Sequence, residues 1–421
     1  MSPPPATAQK SVVHKAALVL VWMAVALSAV VYSEPAPFEI LMMGLVVLLP
    51  VLGLARLTPA LILLLSLWLV VGAGGFIAST AAFDIRRSAL HAFITLYLSI
   101  ASVVLAGFVR QSPAPHARLM MNAYLIAGSI ASLAALVGYF DIVPSMTDTL
   151  TLFGRARGTF KDPNVLGAFL APAIVFAMLA WLDRPGPMSI VPLAVAGLIT
   201  LGALLSFSRG AWFNTAVSLA LFGYLSLVTA HTTRRQLRLV LLAVFGVIGV
   251  AGIVVAALQL EAVQDLMAQR ASLNQDYDTG PEGRFAGQEK AKGLVLEHPL
   301  GIGALEFGAH YHHEDVHNVY ISMFLNAGWL GGAVYALIVA ITMVFGVSAI
   351  FLRVPYQSQL IAAYAALTGQ VLEGFIVDTD HWRHFFLLLG LVWGLGLAAH
   401  RDAGSGRHRQ VDAPRMVLTH P

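Results

Sequence analysis

His317 lies in Glu314–Gly332, EDVHNVYISMFLNAGWLGG, where a long polar segment gives way to an apolar one. Asp315 is placed to cap a helix beginning with Val316 and His317, because a carboxylate accepts the orphan N–H groups of a first helical turn. The positive end of that helix dipole disfavours imidazolium, so the ring stays neutral near neutral pH and is able to take a proton. Arg209, in SFSRGAW, opens an apolar run. A cation immersed that close to hydrocarbon costs about 2–3 kcal/mol, so it faces a cavity or a partner. Arg284 offers the planar guanidinium fork that matches phosphate oxygens. Arg155, Arg157 and Lys161, in GRARGTFKDPN, precede a helix start at Asp162 and Pro163, which suits a phosphate. The plainer reading of each is interfacial anchoring, with arginines snorkelling and the histidine merely capping a helix.

Other ionisable groups suggest less. His310, His312, His313, Glu314, Asp315 and His317 are close in sequence, but only His313 and His317 have i,i+4 spacing and no HExxH pattern is present, so no metal is expected. Glu373 and the DTDHWRH segment (Asp378, Asp380, His381, Arg383, His384) read as ion-pairing partners of nearby arginines. No Walker loop, dinucleotide fingerprint or GxSxG elbow supports ATP, NAD or serine hydrolase chemistry.

The elements that must position these residues are membrane helices. With 58% hydrophobic and 11% charged residues, the chain lacks the charged surface of a soluble protein. The basic residues are dispersed, which excludes nucleic acid, and the absence of cysteine removes thiolate ligands and nucleophiles. Apolar runs long enough to cross a bilayer recur about twelve times, and only helices satisfy their own backbone there. The chain therefore reads as an all-α polytopic membrane protein. Its divisions are a cytoplasmic N-terminus over 1–14, nine helices over 15–258, an extracytoplasmic loop over 259–328, three helices over 329–400 and a polar, unstructured cytoplasmic tail over 401–421. The first helix resembles a signal peptide but is too long, and reads as uncleaved.

Fourteen lysines and arginines fall on the side of the termini against seven in the short loops opposite, which places both termini inside. The long loop is acidic from Glu261 to Val316, so an anion there is held by individually placed arginines. Within it QDYDTGPEG has turn chemistry, Arg284–Leu296 reads as an amphipathic helix, and HPLGIG ends that helix and returns the chain. A helix running from Val316 to Phe351 is too long for one span, so a break is expected at Gly328, where Gly328 and Gly332 also let a neighbouring helix approach closely.

His317-Asn318, nine residues, Gly328, two residues and Gly331 form the pattern HN-x9-GxxG. With GTFKDPN, SRGAW and EHPLGIG, this resembles the O-antigen ligase and O-antigen polymerase family over roughly residues 150 to 400. The resemblance implies a fold similar to the C-type glycosyltransferases and inverting glycosyl transfer on the outer face of the bacterial inner membrane. The donor it implies is a glycan on undecaprenyl diphosphate, with no cofactor, nucleotide sugar or metal. It makes His317 the base on the acceptor hydroxyl and Arg209 and Arg284 the holders of the lipid diphosphate, although Phe213 stands where family ligases often have leucine. Arg157 is expected beside those arginines, and Asp315, Asn318, Gly328 and Gly331 as supports. Ligation to lipid A-core and polymerisation of repeat units differ only in the acceptor. A transporter of a lipid-linked glycan is the rival class, and would place its ionisable groups near the membrane midplane.

Overall fold

The structure, a computed structural model, describes residues 6–32, 36–184, 189–257, 259, 280 and 283–411. Most of the acidic stretch after Glu261, and most of QDYDTGPEG, lie outside these residues. The chain runs through α1 (Ala6–Ala26), α2 (Pro37–Val51), α3 (Pro59–Ser79), α4 (Ile85–Gln111), α5 (Pro113–Tyr139) and the one-turn α6 (Thr147–Leu150). A small hairpin follows, β1 (Thr151–Leu152) and β2 (Arg155–Ala156), paired Leu152 with Arg155. Then come α7 (Pro163–Asp183), α8 (Ile190–Leu205), α9 (Arg209–Val228), α10 (Thr233–Ala257), α11 (Arg284–Glu297), α12 (Val319–Ile350), α13 (Gln357–Glu373) and α14 (Arg383–Val411).

The fold is all-α and polytopic. A helix occupies each of the twelve apolar stretches, and among the described residues eight helices are long and apolar enough to cross a membrane. Two others, α2 and α8, are apolar but shorter. The most apolar parts of α4, α7 and α14 are 78, 83 and 89% buried, so these three form the interior, whereas α3 and α9 are 33% buried and turn large apolar side chains outward. Close approach replaces the hydrophobic effect as the means of association in lipid. Gly390 and Gly394 of α14 accordingly sit against Ser102, Leu105 and Ala106 of α4, where an added Cβ would come within 3.0 Å of backbone carbonyls.

The break anticipated in the long helix is present. Gly328 has φ +70° and ψ 179°, a conformation open essentially to glycine alone. The interruption frees backbone groups that must find other partners. The Leu325 carbonyl accepts from Ile302 and Gly303 N–H at 2.8 and 3.2 Å, and Trp329 N–H donates to the Pro299 carbonyl at 2.9 Å. The HPLGIG return is thereby plugged into the break. Across from it Gly74 of α3 packs on Ala327 with Gly331 beside it, whereas Gly328 faces the Pro299–Leu300 backbone and Gly332 faces Phe324 of its own helix, so the close approach to α3 is not made by the Gly328/Gly332 pair. A Cβ at Gly328 would lie 2.9 Å from the Pro299 carbonyl oxygen. Gly328→Ala is expected to destabilise the protein by about 1–3 kcal/mol, read as a lowered melting temperature. An unchanged melting temperature would show that the return is not held this way.

The tail departs from expectation, because α14 stays helical through Val411 and residues 412–421 lie outside the described set. Its extension is tied down: the Tyr356 hydroxyl donates to Asp402 at 2.8 Å and the Arg401 guanidinium to the Arg110 carbonyl at 3.2 Å.

Candidate active site

Four helices begin around one open cavity of about 940 Å³. Asn164 and Val165 of α7, Arg209 and Gly210 of α9, and Arg284 of α11 line it, as does His317 immediately before α12. Each helix start carries unsatisfied N–H groups and a partial positive charge, so their convergence favours an anion before any side chain is counted.

Local chemistry explains each start. Asp162 caps α7, its carboxylate accepting from Asn164 N–H at 2.6 Å, with Pro163 as first residue, as the sequence indicates. The Ser208 hydroxyl caps α9 by accepting from Ala211 N–H at 3.3 Å, and the preceding Phe207 has a positive φ of 46°. That tight turn puts Arg209 at the rim. Gly283 precedes α11, which starts on Arg284.

The start of α12 differs from expectation. Asp315 is not its cap; Asn318 is, accepting from Tyr320 and Ile321 N–H at 3.1 and 3.3 Å. The helix begins at Val319, two residues past His317, which therefore precedes the first turn and does not share a helical face with Ile321 and Phe324. His317 has φ +52°, a left-handed conformation that costs on the order of 1 kcal/mol for a residue with a Cβ. The half-buried Asp378 carboxylate offsets it by accepting the His317 N–H at 2.9 Å and the Ser322 hydroxyl. Asparagine wins the cap because the turn at His317 carries Asp315 away to the cavity wall, against Gly308.

The imidazole Nε2 lies 3.6 Å from the Glu314 carboxylate. Burial, and next the Arg284 guanidinium, hold its pKa below the ordinary 6.5, while Glu314, Asp315 and Asp162 pull it upward. The ring is therefore neutral near neutral pH, the state a base requires. The reason is desolvation and a cation, and not the dipole of its own helix. Asp378 is pushed up to about 7 by burial and by Asp380, so it adds less than a full negative charge to a cavity suited to anions. Since the Glu314 charge raises the His317 pKa, Glu314→Gln is expected to move the acid limb of the pH–rate profile to lower pH. An upward shift would show that Glu314 does not act electrostatically on the ring.

The arginines are brought together with one exchange. Arg209 and Arg284 line the cavity, and the third guanidinium is Arg155, not Arg157. Arg155 donates from Nε to the Ser206 carbonyl at 2.8 Å and from Nη2 to Asn164 Oδ1 at 2.7 Å. Arg157 is directed away, its guanidinium donating to the carbonyls of Asp148, Thr149 and Lys161. Two of those belong to α6, whose carbonyl end attracts a cation. The β1–β2 turn, with φ of 51° at Phe153 and 70° at Gly154, decides which arginine faces inward, and the spacing alone does not reveal it.

The histidines upstream take aromatic and acidic partners, with the His312 and His313 rings lying together at a centroid distance of 4.4 Å. His310 packs on the Phe83 ring with centroids 4.4 Å apart and lies 3.4 Å from Glu306, while His312 stacks on Phe307. Among the described residues no three His, Asp or Glu side chains converge in a way that could hold a metal ion. The acidic groups near α13 and α14 pair, but not with the arginines of the cavity. Asp380 meets His91 at 3.0 Å, Glu373 accepts from Asn214 Nδ2 at 2.6 Å, and Arg383 pairs with Glu39. The roles of Glu314 and Asp378 escape a reading of the sequence. Glu314 stands among several histidines and acids with nothing in its spacing to single it out, and Asp378 lies 61 residues from His317 with no local signal.

Residues 193–336 match the family model described as O-antigen ligase. Over that segment the chain is similar to the O-antigen ligase family. The matched segment contains Arg209, Arg284, His317, Asn318, Gly328 and Gly331, while Arg155, Asn164 and Asp378 lie outside it. Members of the O-antigen ligase and polymerase family are glycosyltransferase-like enzymes, and this similarity together with the eight long apolar helices supports a link to polysaccharide biosynthesis at a membrane. No curated protein matches the chain.

Proposed function

We propose that this protein moves a glycan from undecaprenyl diphosphate to an acceptor hydroxyl at the cavity, on the outer face of the bacterial inner membrane. The observation that carries the reading is that His317, Arg209 and Arg284 line one cavity around which four helices begin. In the transfer, the acceptor oxygen attacks the anomeric carbon as its proton passes to the His317 imidazole and the bond to the diphosphate oxygen breaks. Attack opposite the leaving group inverts the anomeric centre. The leaving lipid diphosphate gains charge as that bond breaks, and fixed guanidiniums with helix N-termini stabilise it without reorganising. Arg209 and Arg284 take this role, with Arg155 beside them in place of Arg157. Asp378 and Asn318 position the imidazole, and Asp315 forms part of the wall. A cavity bounded by the ends of membrane helices lets the polyprenyl tail remain in lipid. The reaction needs no cofactor in this scheme.

The acceptor proposed is lipid A-core, making the reaction a ligation, in keeping with the description of the matching family. The test is reconstitution of the full chain in proteoliposomes with a defined lipid-linked oligosaccharide and a choice of acceptors. Glycan joined to lipid A-core is the expected product. Chain extension without lipid A-core would make the protein a polymerase, and movement of the donor across the bilayer with no new glycosidic bond would make it a transporter.

A further inference from the structure

A second cavity, of about 760 Å³, lies at the other end of the bundle. The catalytic cavity is built on the N-terminus of α7 and the chain leaving α13. This one is built on the C-terminal end of α7 (Leu179, Ala180, Asp183, Arg184), the N-terminal part of α5 (Arg118, Met121, Leu125) and the start of α13 (Gln359). An α-helix of the length of α7, 21 residues, spans about 30 Å, so the two sites are separated by roughly the thickness of the hydrocarbon.

The walls divide by polarity. Met121, Leu125, Phe176 and Leu179 make an apolar slot, and Arg118 and Arg184 stand exposed at its mouth. Two more arginines reinforce that mouth. The Arg238 guanidinium donates to the Arg184 carbonyl at 3.0 Å and lies 4.9 Å from the centroid of the Trp181 ring, and Arg235 donates to the Ser358 hydroxyl beside Gln359 at 2.6 Å. Among the described residues that line the cavity, Asp183 is the only acidic one, against the two cations Arg118 and Arg184. Gln359, only 5% exposed, lines the cavity with an Oε1 that has no hydrogen-bond partner among the described residues. A buried acceptor of this kind requires a donor such as a hydroxyl.

We propose that this cavity binds the headgroup of an anionic glycerophospholipid, its phosphodiester between Arg118 and Arg184, a headgroup hydroxyl on Gln359 Oε1 and an acyl chain along Met121, Leu125 and Phe176. Basic pockets between membrane helices attract such headgroups, while apolar walls reward the attached chain. The site does not depend on the chemistry at the opposite end of the bundle.

Native mass spectrometry of the detergent-solubilised full chain tests this with phosphatidylglycerol and phosphatidylethanolamine of identical acyl chains. Phosphatidylglycerol is expected to be retained about tenfold over phosphatidylethanolamine. The double variant Arg118→Gln/Arg184→Gln is expected to lose that preference while melting as the wild type does. Equal retention of the two lipids by the wild-type chain overturns the proposal, as does a well-folded double variant that keeps the preference. Complete displacement of phosphatidylglycerol by inorganic phosphate also overturns it, reassigning the cavity to a free anion. If the double variant does not fold, discrimination by the wild-type chain alone decides.

Discussion

His317→Ala is expected to lower the rate of glycan transfer by about 10²–10⁴ while donor binding and expression stay at wild-type levels. The range is that of general base catalysis, because the imidazole contributes only as the acceptor proton departs and makes no claim on the ground-state donor. The structure gives a reason for binding to survive. His317 holds its place through its backbone N–H to Asp378, and the α12 cap is made by Asn318, so truncating the ring disturbs neither contact. The check is steady-state transfer beside equilibrium binding of the lipid-linked donor, both on the purified variant. Turnover undiminished in His317→Ala would remove the imidazole from the chemistry. Loss of donor binding together with turnover would make it a structural or binding residue.

Arg284→Lys is expected to reduce kcat by about 10²–10³, the effect of losing one preorganised donor to a developing anion. Lysine keeps the charge, so the electrostatic effect of residue 284 in holding the His317 pKa down is retained and the acid limb of the rate profile should hardly move. What it lacks is the planar fork that engages two phosphate oxygens at once. A wild-type rate in Arg284→Lys would mean that charge alone suffices. A displaced acid limb would mean that position 284 acts mainly through His317. The position opens α11 beside the imidazole, so a change in pH profile and a change in rate are separable readouts of one substitution.

Much of this arrangement is visible in the amino-acid sequence, for identifiable reasons. Helices in lipid are announced by apolar runs, and the Asp162-Pro163 start of α7 is a local cap that survives into the structure. Gly328 is legible because a helix from Val316 to Phe351 is too long for one span and a glycine stands where a break fits. Errors arise where tertiary contact overrides a local preference. Asp315 is as good a cap as Asn318 by residue type, but His317 adopts the left-handed region while its N–H donates over a long range to Asp378, and the helix starts later. Arg155 and Arg157 are equivalent by spacing, and a two-residue turn at Phe153-Gly154 separates them. The tail after His400 looks unsupported until Tyr356 and Arg110 are found holding Asp402 and Arg401.

The claim on which all of this rests is that the diphosphate of the donor sits between the two guanidiniums beside His317. Electron cryomicroscopy of the full chain in lipid nanodiscs, with a glycan on undecaprenyl diphosphate, tests it most directly. The account predicts diphosphate density within hydrogen-bonding reach of Arg209 and Arg284, with the first sugar facing the His317 ring. Density for the diphosphate at the far end of the bundle, between Arg118 and Arg184, with the His317 cavity unfilled, would contradict it.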